Sequence, residues 1–307
     1  MSEAQHHTPK TFKNFMQFLP MFMMTSIARL MPYKLRNRVL AKTGGFIVSN
    51  VPSLRKRVFD GLNRIYPDIP EDEKKLMCKK IGQQVGRSWS EILFNATYKK
   101  QLPLFQTKGP NSSFEILKDA KEQGKGVILF SGHFGQFDAV RHYLRSHDME
   151  TGAVYRENNN PWYDPYFFHG LEEAGKPIMG RDTSGRMKMV KHLRKGGFLA
   201  MLVDQKFQGG ELVPFLGHNA LTSTVPAQLA LRYNLPLIPA FGIRAPNGFN
   251  IDIEFGKPIE HTDAATMTRQ MNDCLSAKIL EHPDQWYWLH QRWKDIEVYY
   301  PDHADSV

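Results

Sequence analysis

Five short apolar runs in the second two-thirds of the chain constrain the fold most. Val127–Phe130 (VILF), Thr151–Tyr155 (TGAVY), Phe198–Val203 (FLAMLV), Leu237–Ile243 and Ile251–Phe255 are continuous rather than helically periodic. Each is too short for a helix, which needs about 10–12 residues to bury a face. Segments with helical patterns separate most of them, at 137–146, 164–175, 184–195 and 224–233. Alternation of helices with strands apolar on both faces predicts an α/β fold. Its centre is a mixed, largely parallel sheet flanked by helices.

Residues 12–105 read as mainly helical, punctuated by Pro32, Gly44-Gly45, Pro52 and the turn Pro67-Asp68-Ile69-Pro70. Charge is concentrated here. Residues 1–64 hold eleven Lys and Arg against two acids, Glu3 and Asp60, which accounts for the whole formal excess of +9. A basic end attracts nucleic acid or anionic membrane. The neighbouring residues favour membrane: Phe12, Phe15, Met16, Phe18, Leu19, Met21 to Met24 and Ile27 form a soft apolar stretch broken by Gln17, Pro20, Thr25 and Ser26. That is short of the ~20 clean apolar residues of a span, so a helix lying in the interface is expected, with a kinked single span as the alternative. The expected division is therefore 1–40, a helical membrane-associating segment, and 41–307, the domain that contains the sheet. No nucleic-acid motif appears, and no nucleic-acid partner is expected.

Ligands of such sheets collect where strands end. After the first run comes Ser131-Gly132-His133-Phe134-Gly135-Gln136-Phe137-Asp138. Arg156 follows the second, Asp204-Gln205 the third and Arg244 the fourth. Residues five apart lie about 140° apart on a helix. His133 and Asp138 therefore meet only if His133 stays in the turn and Asp138 enters the helix. Gly132 and Gly135 suit that turn. A carboxylate on one imidazole nitrogen would leave the other free to take a proton. The two cysteines, Cys78 and Cys274, form no ligand cluster, and no metal site is expected. No complete dinucleotide fingerprint or phosphate loop occurs either, so no cofactor is expected.

These residues stand in four ordered blocks. GVILFSGHFGQFD carries His-x4-Asp, and Tyr155-Arg156 precedes Asn160-Pro161. Val203-Asp204-Gln205 precedes Val213-Pro214-Phe215-Leu216-Gly217 and Thr222, and residues 282–294 read HPDQWYWLHQRWK. From about Gly61 to Lys294 the chain resembles the lipid A biosynthesis (late, secondary) acyltransferases of the lysophospholipid acyltransferase-like superfamily. The acid is Asp where many members carry Glu. Pro226 stands where many carry a small residue.

The resemblance implies transfer of a fatty acyl group from acyl carrier protein to a hydroxyl of a lipid A precursor, a phosphorylated glucosamine disaccharide. The place would be the cytoplasmic face of the inner membrane. His133 is expected as general base with Asp138 as its orienter. Arg156 is expected at a phosphate or the oxyanion, Arg181 and Arg244 in weaker versions of that role, and Asp204 and Gln205 among the substrate-binding residues. The competing readings are an enzyme of this fold with a lysophospholipid, glycolipid or aminolipid acceptor, and a basic binding protein without catalysis. Trp286, Trp288 and Trp293 suit a membrane interface or a terminal helix packed on the sheet; packing is the expectation.

Overall fold

In the computed structural model, which describes residues 9–98, 100, 105–108, 111–294 and 296, the five apolar runs become strands of one seven-stranded sheet. They are β2 (Val127–Ser131), β3 (Thr151–Tyr155), β5 (Phe198–Leu202), β8 (Leu237–Arg244) and β9 (Ile251–Phe255). Two strands of this sheet escaped the sequence reading: β1 (Phe105–Lys108) and the three-residue β4 (Ile178–Gly180). The order is β1-β9-β8-β2-β5-β3-β4. All neighbours are parallel except β8 and β9, so the sheet is mixed and largely parallel, as expected.

Helices α6 (Asn111–Glu122), α7 (Asp138–Arg145), α8 (Asp164–Ala174), α9 (Thr183–Arg194), α10 (Val225–Tyr233) and α11 (Ala264–Glu281) connect and cover the strands. A separate hairpin, β6 (Glu211–Phe215) with β7 (His218–Thr222), leans on α11. Every residue of β2 and of β8 is buried, which is why these strands lack polar–apolar alternation.

The N-terminal part is helical: α1 (Phe12–Arg29), α2 (Tyr33–Asn50), α3 (Pro52–Ile65), α4 (Glu71–Leu93) and the short α5 (Asn95–Tyr98). Residue 40, the expected boundary, falls inside α2, which packs along α4. Their backbones nearly touch. A Cβ on Gly86 would run into the Leu40 carbonyl oxygen, and one on Gly82 would lie 2.7 Å from the Gly44 oxygen. Only glycine permits that approach.

Helix α1 lies on the domain. Phe18 is buried, Phe15 meets Trp162 edge-on at 5.2 Å, and Asn160 Nδ2 donates to the Asn14 carbonyl at 2.9 Å. Its other face exposes Phe12, Met16, Met23 and Ile27. The alternative of a kinked single span is not met: among the described residues no helix is long and apolar enough to cross a membrane. Nor are all the early cations on the surface. Arg36 is buried and stacks over the Phe94 ring at 4.1 Å.

Candidate active site

Strand register decides which chain ends meet. In the parallel pair β2–β5, Ser131 stands opposite Leu202. Two residues further along each strand lie His133 and Asp204, 71 positions apart in sequence. His133 Nδ1 is 2.8 Å from Asp204 Oδ1, and the His133 backbone N–H donates to Asp204 Oδ2 at 2.9 Å. The Trp286 indole N–H donates to the same Oδ2, also at 2.9 Å. Asp204 is thus buried and fully engaged, while the His133 ring remains 29% exposed between Phe137 and Tyr287. Burial pushes the Asp204 carboxyl up, but the imidazole and the hydrogen bonds from His133 and Trp286 outweigh it and hold the group down at about 2. An ionised carboxylate on Nδ1 keeps the proton on that nitrogen and leaves Nε2 basic.

The turn that presents His133 depends on Gly135, which sits at φ +55° with its α-carbon against the Gly242 carbonyl of β8. A side chain there would clash and would strain the backbone. Gln136 N–H donates to the Gly242 oxygen at 2.8 Å, so β8 supports the turn directly.

In the structure His133 is bonded to Asp204, and the expected bond from His133 to Asp138 is not formed. Asp138 opens α7, as anticipated, but its carboxylate turns to Arg141, with Oδ1 2.9 Å from Nη1. Arg141 then donates to the carbonyls of Thr151, Leu171 and Gly175, so the pair ties α7 to β3 and α8. Both side chains are 2% exposed. Burial pushes the Asp138 carboxyl up, against the opposing pull of Arg141 and the field of His133.

Arg244, expected as an anion-binding candidate, is engaged inside the protein. It makes a two-pronged pair with Glu91 of α4, at 2.7 and 2.6 Å, and donates from Nε to Gln84 at 2.9 Å. Both partners of the pair are buried, so no guanidinium face is left for a ligand. Removing one member of such a pair strands the other charge in the interior. Glu91→Ala is therefore expected to lower the unfolding free energy by about 3–5 kcal/mol, measurable by urea denaturation.

Arg156 is exposed at the end of β3 and donates to Asn159 Oδ1 at 2.9 Å. Arg181 is exposed beyond β4, the edge strand, with β3 between it and β5; its neighbour Asp182 caps α9. Gln205 is half-buried next to Asp204 in sequence. Among the described residues no group of His, Cys, Asp or Glu is arranged to hold a metal.

What the sequence reading missed of the segment after α11 is its contact with the site. Its tryptophans are buried, as expected of packing, and residues 283–294 form a 3-10 turn (Pro283–Gln285) followed by open turns. It enters the site: Tyr287 N–H donates to the His133 carbonyl and Gly135 N–H to the Gln285 carbonyl, each at 2.9 Å. His290 Nε2 accepts the Lys206 N–H at 2.9 Å, and burial pulls its pKa down to about 4, which suits a neutral acceptor.

A buried carboxylate behind an accessible histidine, at the carboxyl edge of the sheet, is where comparison with known proteins becomes informative. The family model for bacterial lipid A biosynthesis acyltransferases matches residues 5–295. The chain belongs to that family. It is 26% identical over 273 residues to a lipid A biosynthesis lauroyltransferase of Escherichia coli (strain K12), covering 86% of this chain and 87% of that protein. It is 24% identical to a lipid A biosynthesis acyltransferase of Haemophilus influenzae, covering 85% and 82% respectively. A lipid A biosynthesis myristoyltransferase of E. coli is 22% identical, covering 85% and 81%. The blocks around His133, Arg156, Asp204 and Trp286 thus lie within a lipid A acyltransferase match that spans nearly the whole chain.

Proposed function

We propose that this acyltransferase moves a fatty acyl group from acyl carrier protein to a hydroxyl of a lipid A precursor, with His133 as general base. The observation that carries the reading is the bond between His133 Nδ1 and the buried Asp204 carboxylate. His133 Nε2 takes the proton from the acceptor hydroxyl, and the oxygen attacks the thioester carbonyl of the donor. The tetrahedral intermediate then expels the carrier thiolate, which recovers the proton from the imidazolium. Asp204 holds the ring in the productive tautomer and stabilises its cation. This assigns to Asp204 the orienting role first expected of Asp138. No acyl-enzyme is invoked: Cys78 is buried against the Val48 carbonyl, and burial pushes the Cys274 thiol up, away from the reactive thiolate.

Arg156 is the exposed cation at the strand edge suited to a phosphate of the acceptor or to the oxyanion. The enzyme would work at the cytoplasmic face of the inner membrane. Support for a membrane surface comes from exposed Phe12, Met16, Met23, Ile27, Leu30, Phe46 and Ile47 beside exposed Arg29, Lys34, Arg38 and Lys42. Apolar side chains flanked by cations fit an anionic interface without a span.

The test is transfer in vitro. The purified protein, given acyl carrier protein loaded with a fatty acid and a tetra-acylated glucosamine disaccharide phosphate, is expected to yield a product heavier by one acyl group in mass spectrometry. Acylation of a lysophospholipid, a neutral glycolipid or an aminolipid in place of the disaccharide would replace the proposed acceptor.

A further inference from the structure

We infer that Trp286 is a positioning residue for the proposed base, holding the His133 loop and Asp204 in register with each other. This inference rests on the reading of His133 as general base. Two independent contacts carry it. Along its backbone, Trp286 forms an isolated antiparallel bridge with Phe134. The flanking bonds, Tyr287 N–H to the His133 oxygen and Gly135 N–H to the Gln285 oxygen, bracket the loop on both sides of Phe134. Through its side chain, Trp286 donates from Nε1 to Asp204 Oδ2. One residue therefore grips the loop that carries the histidine and the carboxylate that orients it.

The chemistry explains why an indole stands here. Asp204 receives the His133 backbone N–H and the indole N–H on one oxygen, which leaves the other oxygen for Nδ1. Losing the indole donor leaves Oδ2 held by the His133 N–H alone, so the carboxylate facing Nδ1 is held less firmly. The ring itself is 1% exposed and is packed by Phe215, Trp288 and Trp293. Indole is a donor only, which matches a carboxylate oxygen that can only accept.

The experiment uses the full chain labelled with 15N-histidine. The His133 signals are identified by their loss in His133→Gln. In the unaltered protein the ring is expected with Nδ1 protonated and Nε2 bare. Trp286→Phe, which keeps a ring and removes the donor, is expected to give a mixture of tautomers. It should also lower kcat about 10- to 100-fold, the ratio expected for a lost hydrogen bond to a charged group, with KM little changed. Trp288→Phe is the packing control: Trp288 is as deeply buried, but its Nε1 donates to the Pro283 carbonyl, and it should leave the His133 tautomer alone. If Trp286→Phe does not fold, 3-benzothienylalanine placed at 286 replaces the N–H by sulfur in a ring of the same shape. An unchanged His133 tautomer in a folded variant lacking the donor overturns the inference, whatever the activity. A shifted tautomer with unchanged kcat upholds the positioning and overturns the general-base reading instead.

Discussion

His133→Ala is expected to lower kcat by at least about 10²–10⁴-fold, the contribution of a positioned general base, and to leave the protein folded. The ring is partly exposed and its only bond through a ring nitrogen among the described residues is to Asp204, so little packing is lost with it. Its backbone bonds to Asp204 and Tyr287 survive the substitution. Acceptor binding should therefore persist while proton removal fails. The measurement is steady-state transfer with carrier-bound donor, alongside a thermal melt. Near-normal transfer by a folded variant would mean that another group takes the proton.

Asp204→Asn is expected to cost a similar factor for a different reason. The carboxylate accepts three hydrogen bonds, from the His133 backbone, the His133 ring and Trp286. An amide has one oxygen and one NH₂. If the NH₂ faces Nδ1, the imidazole must carry its proton on Nε2, where it cannot act as a base. If it faces the other way, it opposes two N–H donors. Either orientation disables the pair. The substitution also has a pH signature. The folded carboxyl lies at about 2, below its ordinary 3.8, so its stabilising effect is fully present above about pH 4 and disappears as pH falls towards 2. Asp204→Asn should flatten that part of the stability curve. Asp138→Asn should act on stability first, because it leaves Arg141 buried without its carboxylate partner. Equal loss of kcat by both variants at equal stability would return Asp138 to the orienting role.

The contrast between these two aspartates shows what could be read from the chain alone. Strands β2, β3, β5, β8 and β9 were legible because burial on both faces leaves uninterrupted apolar runs. Strand β4 was not, since three residues, Ile178 to Gly180, make no pattern. The hairpin β6–β7 hides behind Pro214 and the Leu216-Gly217 turn, where φ is +51° and +83°. At the site, the positions after the strands stand out in the sequence, but the partners that the structure gives them do not. His133 was matched with Asp138 because five residues of separation is visible and 71 is not. Only the register Ser131–Leu202 brings Asp204 alongside. Arg244 looked like an anion ligand for the same reason: Glu91 lies 153 positions away on a helix of ordinary amphipathic pattern. The signal for the role of Trp286 was present in the block HPDQWYWLHQRWK, but a buried ring and a buried ring with a working N–H look alike in sequence.

The antiparallel bridge between Phe134 and Trp286 has a consequence for how the enzyme comes into being. Synthesis runs from the amino end, so a growing chain holds His133 and Asp204 long before the residue that locks them together is made. The sheet that seats the pair can assemble from strands that all precede residue 256. Until Trp286 arrives, the histidine loop lacks one wall and the carboxylate one of its three donors. The proposed centre is thus completed only after the whole sheet has been made, and a chain cut short after α11 would lose Trp286, Trp288, Leu289 and Trp293 from the main core together with the lock.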